Sequence, residues 1–318
     1  RIFAINDVYI LDNFASLCTL IKQERTENTV TLLSGDFLGP SLLGSIDKGY
    51  GMVQAMNLVP ISHCCFGNHE ADYGVDALVR RIKEFKGKWL NTNMQAFAAK
   101  CDTPMPTHDV IEIANGDHKR KVGLLGLLSS DMSLYTNGLD FGGATIDDPN
   151  EKLAEFKARL MEEEGVDLVL PMMHQYISED KVTCSKKLVP LVLSGHDHHV
   201  FTETIDETLV LKAGSDAHKC LVIDITWQSA EDAGDKPAIT WMLKDVAEYA
   251  PDAAVASAIE QFQEPLKAFA DDDAAIRLFK LPKMPGSVGM VPKLRRQTSS
   301  ERIRLQQPTM GSLLCDVI

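Results

Sequence analysis

The stretch LVLSGHDHH, residues 191–199, is an apolar run that stops at a glycine and continues at once into three histidines and an aspartate. A short apolar run bounded by a turn residue reads as a buried strand. Its C-terminal end is unusual in carrying imidazole and carboxylate groups instead of neutral turn residues. Four other apolar runs end the same way, in Asn6-Asp7, in Gly35-Asp36, in Gly67-Asn68-His69-Glu70 and in His174. Strands whose C-terminal ends all carry Asp, Asn or His are expected to converge on one edge of a sheet, where α/β proteins seat their ligands. Gly35, Gly67 and Gly195 are expected to allow the sharp turns that aim those side chains inward.

Outward from these ends, apolar runs alternate with helical patterns, as strands crossing over through helices do. Residues 2–5 and 29–33 read as strands, separated by a helix on which Phe14, Leu17, Leu20 and Ile21 recur at helical spacing. Residues 147–165 read as a helix with Asp148 as N-cap and Pro149 in the first turn. Leu153, Phe156 and Leu160 form its apolar face and Gly165 is its stop. Strands follow at 166–173 and 189–193, and 209–214 and 220–227 look like a later pair. From residue 247 the composition turns Ala-rich and then rich in Pro, Gly and basic residues. The expected organisation is a main domain over 1–246 and a helical segment and linker over 247–298, with a further segment over 299–318.

The 318 residues, 45% hydrophobic and 24% charged, suit one large globular domain, or one and a half. A net charge of −13 opposes binding to nucleic acid polymers, which depends on clustered Lys and Arg. Small anionic substrates stay open, because a bound metal reverses the local field. No run of about 18 apolar residues occurs, so no membrane-spanning helix is expected. The chain opens directly on its first strand, and any targeting segment is expected to have been trimmed away. Seven cysteines at 18, 64, 65, 101, 184, 220 and 315 are odd in number and lack a CxxC pair. With no Asn-x-Ser/Thr sequon, this points to a reducing compartment such as the cytoplasm and away from disulfides or a Cys-based zinc site. The phosphate loop of the common ATPases is absent.

Asp7, Asp36, Asn68, His174, His196 and His198 together offer oxygen and imidazole donors without thiolate. Such a set suits Zn²⁺, Mn²⁺, Fe or similar ions such as Mg²⁺ and Co²⁺. It is too large for one tetrahedral ion and about right for two that share a carboxylate. Paired metals about 3.5–4 Å apart are a known solution for phosphoryl transfer.

The ordered pieces ND (6–7), SGDFLGPS (34–41), GNHEADYG (67–74), MMHQ (172–175) and SGHDHH (194–199) resemble the calcineurin-like dinuclear metallophosphoesterases. LNTNMQ (90–95), LKAGSDAHKCLVIDI (211–225) and SSERIRLQQPTMGSLLCDVI (299–318) resemble the 5′-nucleotidase branch, the last being similar to the start of that branch's C-terminal domain. The resemblance implies an α/β sandwich of two mixed β-sheets flanked by helices. It implies that Asp36 bridges two divalent ions, with Asp7 and His198 at one and Asn68, His174 and His196 at the other. His69, oriented by Asp72, would stabilise phosphoryl oxygens or protonate the leaving group. The implied activity is hydrolysis of a phosphate ester, a nucleoside 5′-phosphate by this branch, through attack of a metal-bound water.

The departure is Tyr9, where most of the superfamily has a histidine ligand. Three readings stand: Tyr9 binds the first metal, Tyr9 lines the site while water takes the place, or the first position is too weak to work. A phenolate suits a strongly acidic ion such as ferric iron. Rival functions are a phosphodiesterase or general phosphomonoesterase, and a non-catalytic phosphatase-like module. GDFLGPS lacks the Asp-Arg-Gly ending that resembles the protein phosphatases. His63, His108, His118 and His218 are expected to be ordinary core or surface residues, and His199 stands open between a supporting role and none. Cys64 and Cys65 are expected to be two buried thiols on opposite faces of a strand.

Overall fold

A computed structural model describes residues 1–266 except 102, 104, 136–139 and 229–235. The part of the expected helical segment and linker beyond residue 266, the segment expected over 299–318, and Cys315 lie outside the described residues. In chain order the first half forms β1 (Ile2–Ile5), α1 (Phe14–Glu24), β2 (Val30–Leu33), α2 (Leu42–Asp47), α3 (Tyr50–Leu58), β3 (His63–Cys65), α4 (Val75–Glu84), β4 (Lys88–Leu90) and α5 (Gln95–Ala98). The second half forms β5 (His108–Asn115), β6 (His118–Leu128), α6 (Pro149–Glu163), β7 (Leu168–His174), α7 (Ile177–Ser185), β8 (Leu191–Gly195), β9 (Val200–Ile205), β10 (Thr208–Ala213), β11 (Lys219–Thr226), β12 (Ala238–Asp245) and α8 (Ala253–Phe262).

Two six-stranded sheets result, in the orders β12-β11-β1-β2-β3-β4 and β5-β6-β7-β8-β10-β9. Strands β1 to β4 are parallel, as are β6, β7, β8 and β10, and antiparallel strands close the remaining edges. The sheets pack face to face through Ile2, Ala4, Leu32 and Leu90 from one and Leu124, Leu170, Leu193 and Leu211 from the other. Helix α6 covers the outer face of the second sheet with Leu153, Phe156 and Leu160. Covered on both faces, the central strands read in sequence as unbroken apolar runs, as buried parallel strands do. Asp148 caps α6 by accepting from the Asn150 and Glu151 amides at 2.8 and 2.9 Å. Gly165 follows the helix at φ +65°. Cys64 and Cys65 are both fully buried, and their burial pushes both thiols well up from the ordinary value.

The expected later pair of strands is not a pair. β10 lies parallel to β8 in the second sheet, whereas β11 lies antiparallel to β1 in the first. The turn between them, with Gly214, Asp216 and Ala217 at positive φ, carries the chain from one sheet to the other. Apolar content is similar in both strands, so composition cannot tell which sheet takes each. The compact unit runs Arg1–Phe262, and α8 packs on α1 and α3 within it. No helix among the described residues is long and apolar enough to cross a membrane.

Candidate metal centre

The strand ends do converge, but from two sheets instead of one. β1, β2 and β3 bring Asp7, Asp36 and Asn68; β7 and β8 bring His174 and then His196 and His198. Asp7, Asp36, His196 and His198 sit in the left-handed region at φ +51°, +56°, +92° and +58°. Such conformations cost a non-glycine residue about 1–3 kcal/mol each and persist where the surroundings fix them. Here the Asp7 amide donates to the Gly35 carbonyl at 3.0 Å and the His196 amide to Asp7 Oδ2 at 2.7 Å. Of the three expected turn glycines only Gly35 needs positive φ, at +77°. Gly67 and Gly195 are required for room: a Cβ on Gly67 would strike the Asp36 carboxylate, and one on Gly195 the Ser34 carbonyl.

Two groups of ligand-type atoms result, Asp36 with His174 and His196, and Asp7 with Asp36 and His198, each within 4.8 Å and all buried. Asp36 belongs to both. Asn68 Oδ1 lies 2.9 Å from His196 Nδ1 and 3.2 Å from His174 Nε2, joining the first group. His174 Nδ1 faces the Ser34 carbonyl at 2.8 Å, which fixes a proton there and turns Nε2 toward the cluster. Tyr9 is buried with its hydroxyl 3.1 Å from Asp7 Oδ1, 2.9 Å from Asp36 Oδ2 and 2.8 Å from His198 Nε2. At the more open side, His69 Nδ1 meets Asp72 Oδ2 at 2.8 Å, and the His69 amide donates to Asp36 Oδ1 at 2.9 Å. His199 is exposed. His63 lies buried between Ser62 and Asp109, His108 contacts Glu164, and His118 and His218 are exposed.

The cluster calls for positive charge. Burial presses the His174 imidazole toward neutrality, yet the Asp36 and Asp7 carboxylates overcome this and lift its pKa to about 9. Burial pushes the Asp7 carboxyl up, and the His174 and His198 imidazoles more than reverse that. One imidazolium therefore offsets part of the charge of the two fully buried carboxylates in the metal-free chain. The donor set, hard oxygens and imidazoles with no thiolate, fits divalent cations of the Zn, Mn and Fe type.

Residue types at the strand ends signalled these side chains, but not the groups that hold them. Glu70 is buried and accepts from the Phe37 and Asp36 amides at 2.8 and 3.1 Å and from the Gly67 amide, tying the loops after β2 and β3 together. Its own burial, with the Asp36 charge behind it, raises its pKa to about 7. Asn6 bonds Asp7 Oδ2 at 2.7 Å, and Asp216 accepts the Tyr9 amide at 2.8 Å. Lys212, fully buried on β10, donates to the Gln175 and Gly195 carbonyls at 2.8 and 2.6 Å and to Asp197 at 2.5 Å. Asp180 Oδ2 completes its surroundings at 2.7 Å. The only sequence trace of Lys212 is a charged residue inside an apolar run.

The sequence model of the calcineurin-like phosphoesterases matches residues 1–200. The chain belongs to this family. Among curated relatives, a 2′,3′-cyclic-nucleotide 2′-phosphodiesterase/3′-nucleotidase of Yersinia enterocolitica is 25% identical over 215 residues, 59% of this chain and 32% of the relative. The trifunctional nucleotide phosphoesterase YfkN of Bacillus subtilis is 24% identical over 219 residues, 59% of this chain and 15% of the relative. The chain thus spans about a third or less of the length of these calcineurin-like relatives. A solved calcineurin-like phosphoesterase structure of YfkN superposes with TM-score 0.71 at 21% identity, over 85% of this chain and 98% of that one. A 5′-nucleotidase precursor from Thermus thermophilus gives 0.70 at 17% identity, over 85% and 59%. These structures share the two-sheet calcineurin-like fold.

Proposed function

We propose that this calcineurin-like phosphoesterase hydrolyses phosphate esters of nucleotides with two cations held by the paired groups around Asp36. The observation that carries this reading is the sharing of one buried carboxylate between two donor groups, with the His69–Asp72 pair beside it. When bound, the cations supply Lewis acidity toward the phosphoryl oxygens and toward the attacking water. Asp7 and His198 would hold one, and Asn68, His174 and His196 the other.

Asp72 holds the His69 ring through Nδ1, leaving Nε2 to meet a phosphoryl oxygen or to pass a proton to the leaving alcohol. The His69 amide on Asp36 Oδ1 keeps that imidazole in register with the shared carboxylate. The Tyr176 ring stands edge-on to His196, centroids 4.2 Å apart, and walls one side of the cluster.

Nucleotides are the preferred substrate class because the relatives' names specify nucleotide esters. A nucleoside 5′-phosphate is the leading choice. A cyclic phosphodiester is the second reading, favoured by the name of the Yersinia relative. The test is phosphate release by Mn²⁺- or Zn²⁺-loaded protein from AMP, UMP, a nucleotide sugar, a 2′,3′-cyclic nucleotide and an aryl phosphate, with His69→Asn alongside. Turnover that falls about 100-fold or more in the variant is expected for loss of a general acid. Equal turnover in variant and wild type would return the chain to the non-catalytic reading.

A further inference from the structure

We propose that the exposed ring of Tyr176 is a platform for the leaving group, and that it selects esters whose alcohol carries an uncharged aromatic ring, a nucleoside or an aryl alcohol, over esters without one. The inference rests on the hydrolytic reading above and names the leaving groups that site prefers.

Among the described residues only two aromatic side chains are exposed, Tyr50 and Tyr176. Tyr50 lies on α3 with the Arg81 guanidinium 5.3 Å from its ring centroid. Tyr176 follows the end of β7 and touches the donor set itself, its ring meeting that of His196 at 85° with centroids 4.2 Å apart. A perpendicular contact of this kind takes up at most one face of a ring, and Tyr176 stays 37% exposed. Tyr9 and Tyr135, which pack into their surroundings, are both buried. A planar group lying on Tyr176 is therefore one side chain away from the donor His196.

The backbone under the ring is fixed. The Tyr176 amide donates to Glu179 Oε2 at 2.9 Å, and Glu179 Oε1 accepts from Ser129 Oγ at 2.7 Å. The next amide, that of Ile177, donates to Asp197 Oδ2 at 2.9 Å. Tyr176 is thus tied to the loops after β6 and β8, the strands on either side of β7. A platform held in this way gives up little backbone freedom when a ligand settles on it.

The same two loops set what the platform accepts. Residues 129–135 and 196–199 contain no Lys or Arg, and their carboxylates, Asp131 and Asp197, are negative. Met132 on the first loop and Val200 just past the second are exposed and apolar. An anionic leaving group meets no cationic side chain on these loops, whereas a neutral planar one meets apolar and aromatic surface, the usual lining of a small-molecule site.

The experiment measures kcat and KM for AMP, an aryl phosphate and ribose 5-phosphate with Mn²⁺-loaded wild type, Tyr176→Phe and Tyr176→Leu, and metal content for each. Leucine keeps an apolar side chain without the aromatic face, and phenylalanine keeps the face. The expected result is that the preference for AMP and the aryl phosphate over ribose 5-phosphate, taken as a ratio of kcat/KM, falls at least about fivefold in Tyr176→Leu. That is the low end of what stacking a base on an aromatic side chain contributes. The fall should lie in KM more than in kcat, as loss of binding common to ground and transition states does, while Tyr176→Phe stays near wild type. An unchanged ratio in Tyr176→Leu, or a fall of the same size on all three substrates, would overturn the role of Tyr176 while leaving the hydrolytic reading intact. Wild type that turns over none of the three would overturn that reading and this inference with it.

Discussion

Lys212→Met should damage this chain more than any change at an exposed lysine. The ammonium is fully buried on β10 and spends its three N–H bonds on Gln175 O, Gly195 O and Asp197, with Asp180 held by charge at 2.7 Å. Methionine fills a similar volume, so the cost is electrostatic: two carboxylates and two carbonyls are left facing one another without a cation. Removing one partner of a buried ion pair costs about 3–5 kcal/mol. For a unit of this size that is a fall in Tm on the order of 10 °C. Burial already raises the Asp180 carboxyl, with Lys212 restraining the rise, so the variant's Asp180 should rise further and take up a proton. A group whose folded pKa is raised contributes stability at low pH and loses it as pH climbs through that value. The deficit should therefore shrink toward acid pH, and Asp180→Asn in the Met background should recover part of it. Thermal melts of the metal-free proteins between pH 5 and 8 provide the assay. A Lys212→Met chain within about 1 kcal/mol of wild type across that range would refute the assignment of Lys212 as the brace of the loops that follow His174 and precede His196.

Other changes probe the cluster from different sides. In metal-free protein His174 has its pKa lifted to about 9, so its contribution to stability is whole below about 6.5 and drains away as pH rises through 9. Denaturant titrations should show that slope and show it missing in His174→Gln; a flat profile in both would contradict the charge balance described. Gly67→Ala should lower metal content and turnover together, because its Cβ meets the Asp36 carboxylate, and unchanged metal analysis would count against that clash. Asp148→Ala should cost about 1 kcal/mol by loss of the α6 cap while leaving metal content unchanged, as urea unfolding and metal analysis would report.

What the sequence discloses follows from what periodicity and residue type can encode. The transitions from strand to polar residue at Asp7, Asp36, Asn68, His174 and His196 were legible because each joins a buried strand to residues that burial alone does not favour. Helix α6 was legible from its cap, its apolar face and its glycine stop. The sheet to which each strand belongs was not, since β10 and β11 are similarly apolar and only the intervening turn decides. Nor was the bracing by Glu70, Asp216 and Lys212, which depends on distant loops meeting in space. For Gly67 and Gly195, expected at sharp turns, the structure adds a further demand for room, because Asp36 and Ser34 crowd them.

Each donor group draws on both sheets: Asp7 and Asp36 come from the first and His198 from the second, and Asp36 is joined by His174 and His196 across the same seam. During synthesis, then, the early strands expose carboxylates that hold no complete set, and uptake of any cation must wait until β8 has emerged and docked. An ion bound here, absent from the unfolded chain, favours the closed sandwich by mass action, by about 2.7 kcal/mol at a hundred times its dissociation constant. Metal loading would thus double as a check that the two sheets have been brought together correctly.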